Sequence, residues 1–303
     1  MTDFVLVLIG PTDGKSPIAE VARVVPSAAR GVAWQDPRWL SQDEACEVPF
    51  AATDEATARA IREDVAARWL QAPIDVCVVP AEGRRKALLI ADMDSTIIQQ
   101  ECIDEMADVL GLKPKIAAIT ERAMRGELAF EAALTERLGL LAGLAEGDLQ
   151  RVFDERITLM PGARTLVASM RAAGAFTALV SGGFSFFTSR VAAAVGFDVN
   201  RANTLDVVDG RLTGRVVGPI LGREAKLAAL EHYRGARGLA ETATMAVGDG
   251  ANDLAMIKAA GLGVAYRAKP IVAAEADAGI THGDLTALLF LQGYSRAEFV
   301  DRG

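Results

Sequence analysis

The sequence predicts an α/β protein in which a doubly wound, Rossmann-like parallel sheet follows a smaller α+β unit of the ferredoxin-like kind. From Lys86 onward, short apolar runs alternate with helical segments, which is typical of a parallel sheet covered by helices on both faces. Before that point the segments follow the order β-α-β-β-α-β. The chain has 303 residues, 51% hydrophobic and 24% charged, which indicates a globular protein of roughly two domains.

The first unit spans residues 1–85. FVLVLIG predicts a buried strand and IAEVARVV a helix; two short extended stretches around Pro37 follow. DEATARAIREDVAARWL predicts an amphipathic helix capped by Thr53 or Asp54, and PIDVCVVP predicts another strand. This order is that of small amino-acid-sensing modules of the ACT type. The polar segment AEGRRK at 81–86 marks the boundary with the second unit, 86–303.

The second unit contains four short apolar runs that predict strands: KALLIAD, AFTALVS, ATMAVGD and LGVAY. Helical patterns lie between them, namely PGARTLVASMRAAG, SFFTSRVAAAVG, REAKLAALEHYRG and NDLAMIKAAG. In VVDGRLTGRVVG, Asp209 and Gly210 between alternating runs predict a β-hairpin.

A helical insertion of about 60 residues, approximately 97–160, interrupts this alternation after the first strand. It contains four helical patterns and is too long for a simple connection. We predict that it forms a cap over the carboxyl edge of the sheet.

Polar groups follow three of the predicted strands. Asp92-Met93-Asp94-Ser95-Thr96 follows the first, Ser181-Gly182-Gly183 the second, and Asp249-Gly250-Ala251-Asn252-Asp253 a later one. Lys226 lies near the start of a helix. Ligands of open α/β sheets bind at the carboxyl ends of the strands, so we expect these groups to meet.

Each of these features has an ordinary explanation when taken alone. A loop aspartate is often a solvated cap, Asn252 or Asp253 could cap a helix, and Lys226 could be a surface lysine. Their joint occurrence at strand ends favours phosphoryl transfer. Clustered carboxylates repel one another unless a cation lies among them, and oxygen ligands suit Mg²⁺. One carboxylate of the pair Asp92 and Asp94 can attack phosphorus while the other transfers protons.

DMDST, VSGGF, Lys226 and VGDGAND resemble the four motifs of the haloacid-dehalogenase (HAD) superfamily of phosphatases. The resemblance implies that Asp92 is the nucleophile and Asp94 the general acid and base. It also implies that Mg²⁺ is bound by Asp92, the backbone carbonyl of Asp94 and Asp249, and that Asp253 orients the water shell of the metal. The phosphate-binding set would be Ser181, Gly182, Gly183, Lys226 and Asn252.

The helical insertion resembles that of phosphoserine phosphatases, through Glu101 in QQECIDE and the segment ITERAMRGELAFEAALTERL. This resemblance implies that Glu101 faces a substrate ammonium, that Arg137 faces a carboxylate, and that Met124 and Phe130 form an apolar wall. The expected reaction is hydrolysis of O-phospho-L-serine, the last step of serine biosynthesis. Two alternatives stay open: another small phosphomonoester as substrate, or transfer of the phosphoryl group to an alcohol.

The first unit leaves its role open between amino-acid sensing and dimerisation, so a homodimer is possible. The net charge of −8 argues against a nucleic-acid partner. The apolar runs are too short for a membrane helix, and the basic start of a signal peptide is missing. Three scattered cysteines support neither a disulfide framework nor a zinc site, so we expect a cytoplasmic protein.

Overall fold

The computed structural model describes residues 2–28, 32–124 and 127–301. A seven-stranded sheet organises the larger part of the chain. Its strands are β6 (Leu88–Ala91), β7 (Phe176–Phe184), β8 (Val199–Val208), β9 (Arg211–Val217), β10 (Thr244–Gly248), β11 (Gly263–Tyr266) and β12 (Ala278–Ile280). They lie side by side in the order β12-β11-β10-β6-β7-β8-β9. All neighbours pair in parallel except β8 and β9, which are antiparallel. The prediction of a doubly wound α/β sheet is confirmed.

The position of β6 determines where the site lies. β6 is central, with β10 on one side and β7 on the other. The chain therefore changes direction across the sheet at β6, and the carboxyl ends of three neighbouring strands enclose one crevice. These are the strands that carry the three polar motifs.

In the described part of the chain, six helices accompany this sheet: α7 (Ala163–Ala172), α8 (Ser185–Val195), α9 (Arg223–Ala236), α10 (Leu254–Ala259), α11 (Pro270–Glu275) and α12 (Ala287–Leu291). The predicted hairpin joins β8 and β9, and Asp209 (φ 50°) and Gly210 (φ 70°) both adopt the left-handed conformation that a type I′ turn requires. The sequence did not predict β12 or α12 as separate elements.

The helical insertion consists of α3 (Cys102–Val109), α4 (Lys113–Met124), α5 (Phe130–Leu140) and α6 (Glu146–Arg156). At its root, Ile98 and Leu159 form an antiparallel bridge, and the Met160 N–H donates to the Ile97 carbonyl at 2.8 Å. The ends of the insertion are thus tied to each other beside β6.

The segment 143–146, which ends at the first residue of α6, forms a second attachment, to the β8–β9 hairpin. The Gly143 N–H donates to the Leu212 carbonyl at 2.8 Å, the Leu212 N–H to Leu144 at 2.9 Å, and the Glu146 N–H to Gly210 at 2.9 Å. With the antiparallel bridge between Ala145 and Arg211, these bonds attach the insertion to the edge of the hairpin.

The first unit contains β1 (Thr2–Ile9), α1 (Ile18–Ala28), β2 (Ala33–Trp34), β3 (Arg38–Ser41), β4 (Ala45–Ala52), α2 (Glu55–Arg68) and β5 (Asp75–Pro80). The sheet has the order β2-β4-β1-β5, with β3 also on β4, and its pairs are antiparallel. Asp54 is the N-cap of α2 and accepts a hydrogen bond from the Thr57 N–H at 2.8 Å, as one of the two predicted caps.

Both faces of this sheet are covered. Phe4, Leu6 and Leu8 pack in a cluster with residues of α1 and α2, whereas Val5 and Val7 belong to the core shared with the larger sheet. The two units therefore share apolar surface.

Polar contacts reinforce that junction. The Asp75 carboxylate accepts hydrogen bonds from the backbone N–H groups of Thr281, His282 and Gly283 at 2.8–3.1 Å. Arg84 pairs with Glu47 at 2.6 Å. Among the described residues, no helix has the length and apolar character needed to cross a membrane.

Candidate active site

Asp92 directly follows β6 and is almost fully buried, with 4% of its surface exposed. Its Oδ1 accepts a hydrogen bond from the Met93 N–H at 2.7 Å. The next residues turn sharply, since the N–H groups of Ile97 and Ile98 both donate to the Met93 carbonyl at 2.9–3.0 Å. Ser95 adopts a left-handed φ of 56° within this turn. The turn keeps Asp94 beside the crevice.

Lys226 is a buried cation, with 1% of its surface exposed, although it lies in the first turn of a helix. Its Nζ is 2.7 Å from Asp92 Oδ1 and 2.6 Å from Asp253 Oδ1. Burial opposes its charged form, but the charges of Asp253 and Asp92 outweigh that effect and raise its pKa. The interpretation of Lys226 as a solvated surface lysine is therefore excluded.

Asp92, Asp249 and Asp253 form a carboxylate cluster in which one oxygen atom from each residue lies within 4.8 Å of the other two. Burial, followed by repulsion from Asp92, raises the pKa of Asp249 to about 6 and that of Asp253 to about 7. Such crowding of negative charge fits a hard divalent cation, which would offset the repulsion. The cluster is chemically suited to Mg²⁺.

The Asp94 carboxylate is held at both oxygens. Oδ1 accepts from the Cys102 backbone N–H at 2.8 Å, at the start of α3, and Oδ2 accepts from the Ser181 hydroxyl at 3.1 Å. Burial and then the nearby charge of Asp92 raise the pKa of Asp94. A raised pKa suits a carboxyl group that must donate a proton.

Ser181, Gly182 and Gly183 lie at the end of β7, as predicted, although the strand continues through them to Phe184. The register between β7 and β8 shifts between Val180 and Phe184, which lets these residues diverge from regular pairing. The Gly183 N–H donates to the Ser181 Oγ at 2.8 Å, and a Cβ added at Gly183 would lie 2.9 Å from Asp94 Oδ2. Glycine is required there because the chain passes so close to Asp94.

The helical insertion brings Phe130 onto the crevice. A Cβ added at Gly182 would lie 3.1 Å from the Cζ of Phe130, and one at Gly222 would lie 3.3 Å from its Cδ1. Phe130 therefore rests against both segments. The side chain of Met124 lies outside the described part of the chain.

Glu101 and Arg137 are the charged residues of the insertion that the sequence singled out. Glu101 faces the crevice and accepts from the Ser95 hydroxyl at 2.7 Å. Desolvation by the surrounding protein, followed by repulsion from the charge of Asp94, raises the pKa of Glu101 to about 8. Arg137 is partly buried; its Nε donates to the Ala133 carbonyl at 3.2 Å and its Nη1 to the Thr120 hydroxyl at 3.4 Å. Asn252 is half-buried in the turn after β10.

Sequence reasoning missed Asn203, a buried residue of β8 with 2% of its surface exposed. Its side chain donates to the Gly182 carbonyl at 2.8 Å. A signal existed: strand alternation places Asn203 on the same face as Leu205, in the core.

Comparisons with known proteins agree with this geometry. Residues 89–258 match the haloacid dehalogenase-like hydrolase family. A phosphoserine phosphatase of Streptomyces coelicolor is 44% identical over 227 residues, which are 74% of this chain and 55% of that protein. One of Idiomarina loihiensis is 46% identical over 202 residues, 67% of this chain and 91% of that protein.

The crystal structure of a HAD family hydrolase from Salmonella enterica serovar Typhi has a TM-score of 0.83 and 31% identity, covering 95% of this chain and 98% of that one. The chain thus spans about half of the Streptomyces relative and nearly all of the Idiomarina one. The family match includes all three strand-end motifs and Lys226. With the fold, the buried lysine and the aspartate cluster in agreement, the chain belongs to the haloacid dehalogenase-like hydrolase family.

Proposed function

We propose that this chain is a phosphoric monoester hydrolase that converts O-phospho-L-serine and water to L-serine and inorganic phosphate, the last step of serine biosynthesis. The observation that carries the proposal is the contact of buried Lys226 with Asp92, because it places a fixed cation beside the residue that would receive the phosphoryl group. The relatives named phosphoserine phosphatases support the choice of substrate.

The proposed reaction has two displacements at phosphorus. Asp92 attacks the phosphorus, the P–O bond to serine breaks, and Asp94 protonates the departing serine oxygen. Asp94 then takes a proton from a water molecule whose oxygen attacks the same phosphorus, releasing phosphate and restoring Asp92. The hydrogen bonds from Cys102 and Ser181 to Asp94 support this role because they hold its carboxylate beside the crevice.

The phosphate oxygens are bound by Lys226, the Ser181 hydroxyl and the Gly182 N–H, with Gly183 and Asn252 completing the pocket. Asp92, Asp249 and the backbone carbonyl of Asp94 would hold Mg²⁺, and Asp253 would orient its water shell. Bound Mg²⁺ supplies positive charge that neutralises the phosphate.

The serine end is bound by the helical insertion, which acts as a cap. Glu101 binds the ammonium and Arg137 the carboxylate, for which a guanidinium offers paired donors. Phe130 and Met124 form the apolar wall. The contact of Phe130 with Gly182 supports this arrangement, because it places the insertion directly over the phosphate-binding strand end.

For the first unit, residues 1–85, we propose an ACT-like module that precedes a HAD phosphatase domain, residues 86–303. Its antiparallel strand order and its two helices support a ferredoxin-like sandwich. Sensing of an amino acid and formation of a homodimer are the two roles to test, by serine titration and by measurement of mass in solution.

Phosphate release from matched substrates tests the function. O-phosphoserine is compared with phosphoethanolamine, which lacks the carboxylate, with 3-(phosphonooxy)propionate, which lacks the ammonium, and with p-nitrophenyl phosphate. We expect phosphoserine to have the highest kcat/KM, in the presence of Mg²⁺. A higher kcat/KM for any substrate that lacks the carboxylate, the ammonium or both would contradict the proposal. Appearance of the phosphoryl group on added glycerol instead of in free phosphate would identify a transferase.

A further inference from the structure

Asn203 bridges the Gly182 segment of β7 and Leu221, which lies just before the helix that carries Lys226. Its Nδ2 donates to the Gly182 carbonyl at 2.8 Å and to the Leu221 carbonyl at 3.3 Å, and its Oδ1 accepts from the Leu221 N–H at 2.7 Å. One buried amide thus satisfies three backbone groups, which is the bonding that a buried amide needs. We propose that Asn203 is a positioning residue for phosphoryl transfer, acting through Gly182 on one side and through the start of α9 on the other.

The first side of the bridge concerns the peptide between Gly182 and Gly183. Asn203 holds its carbonyl, and its N–H donates to the Ser181 Oγ at 2.8 Å. The Ser181 hydroxyl hydrogen is consequently free to point at Asp94 Oδ2, 3.1 Å away. Glycines rotate easily, so a peptide flanked by two of them needs external partners to keep one orientation.

The second side concerns the helix that carries Lys226. Leu221 directly precedes Gly222, the N-cap of α9, and Lys226 is in the first turn. Because Asn203 binds both the N–H and the carbonyl of Leu221, it fixes the point at which the chain enters this turn. Asn203 therefore links the Gly182 segment directly to the start of the helix that carries Lys226.

Asn203 acts on the phosphate end of the substrate, so its effect is independent of what the phosphate is attached to. The inference rests on phosphoryl transfer at Asp92, as proposed above, but not on serine as the leaving group. Loss of Asn203 should reduce kcat/KM by about 10- to 100-fold, the range in which a small misplacement away from the reacting atoms affects rate. The reduction should be the same for phosphoserine and for p-nitrophenyl phosphate.

The experiment compares Asn203→Ala and the nearly isosteric Asn203→Asp, which keeps an acceptor for Leu221 but loses the donor to Gly182. Asn200→Ala is the matched control: Asn200 lies on the same strand, is exposed, and accepts from the Thr188 hydroxyl at 3.1 Å. Each full-length variant is assayed below its own Tm with both substrates, and the inhibition constant of inorganic phosphate is measured.

Equal losses on both substrates together with weaker inhibition by phosphate, in both Asn203 variants and not in the control, would support the inference. Wild-type kinetics and phosphate inhibition in a folded Asn203 variant, even one with a lowered Tm, would overturn it, since Asn203 would then serve stability alone. A loss confined to phosphoserine would also overturn it. If Asn203→Ala does not fold, Asn203→Asp decides. If the wild type prefers another phosphomonoester, the p-nitrophenyl phosphate comparison still tests Asn203, so the two proposals fail separately.

Discussion

Replacement of Arg137 by alanine tests the proposed role of the helical insertion in binding the substrate carboxylate. Arg137 is partly buried, and burial lowers its pKa, opposed by the charges of Glu101 and Asp104. Within the described residues, Arg137 donates to the Ala133 carbonyl and to the Thr120 hydroxyl, and these two bonds orient the guanidinium. Truncating one partner of a buried charge pair costs about 2–5 kcal/mol, and partial burial places Arg137 near the lower end, about 2–3 kcal/mol.

That free energy corresponds to a loss of about 30- to 150-fold in kcat/KM for phosphoserine, at 1.4 kcal/mol per tenfold. The assay is phosphate release from phosphoserine beside hydrolysis of p-nitrophenyl phosphate, which has no carboxylate and should lose less than about threefold. Arg122→Ala is the control, because Arg122 lies on the neighbouring helix α4 and pairs with exposed Glu136 at 3.0 Å. Equal losses on both substrates would refute the assignment, since Arg137 would then act on the phosphate or on folding.

Three further outcomes are expected. Asp92→Asn should abolish turnover while circular dichroism and Tm stay close to those of the wild type, because a carboxamide cannot become an acyl phosphate; near-normal turnover in a fresh preparation would exclude Asp92 as nucleophile. Chelator-treated enzyme should be inactive and should regain activity when Mg²⁺ is added. Ca²⁺ should restore less activity than Mg²⁺, because its coordination shell is larger and looser. Full activity in excess chelator would refute metal dependence. The three cysteines are buried, and burial raises the pKa of Cys46 to about 11, that of Cys77 to about 12 and that of Cys102 well above its usual value. Native protein at pH 8 should therefore resist a thiol reagent and react at all three cysteines only after unfolding. Rapid labelling of the native protein would contradict this expectation, because it would show that a cysteine is accessible.

The parts of the fold that sequence reasoning located are those with strong local patterns. Continuous apolar runs indicated β6, β7, β10 and β11, and the Asp209-Gly210 pair indicated the hairpin, because a type I′ turn needs residues that tolerate positive φ. β12 was not predicted because its three residues, Ala278–Ile280, are too few to show a periodic hydrophobic pattern. The motif aspartates could be located because each follows a recognisable strand.

The environment of a side chain was harder to infer than its place in the chain. Lys226 lies in the first turn of a helix in a polar stretch, and local pattern alone favours a solvated lysine; only the approach of Asp92 and Asp253 from distant segments explains its burial. Asn203 is a similar case, since its partners Gly182 and Leu221 are about twenty residues away on either side. Contacts of this kind depend on how strands are ordered in the sheet, which local patterns do not encode.

The pairing of segment 143–146 with the hairpin has a kinetic consequence. Asp92 is 4% exposed, and Phe130 of the helical insertion rests against Gly182 at the neighbouring strand end, so we expect the insertion to move when a substrate enters. Opening at the contact of this segment with the hairpin would break three backbone hydrogen bonds, and at about 0.5–1.5 kcal/mol each they oppose opening by about 1.5–4.5 kcal/mol. The open form would then be about one molecule in 12 to one in 1,600, which weakens the apparent affinity by the same factor. Product would leave by the same movement, so stronger bonding between segment 143–146 and the hairpin would slow turnover even with the chemistry unchanged.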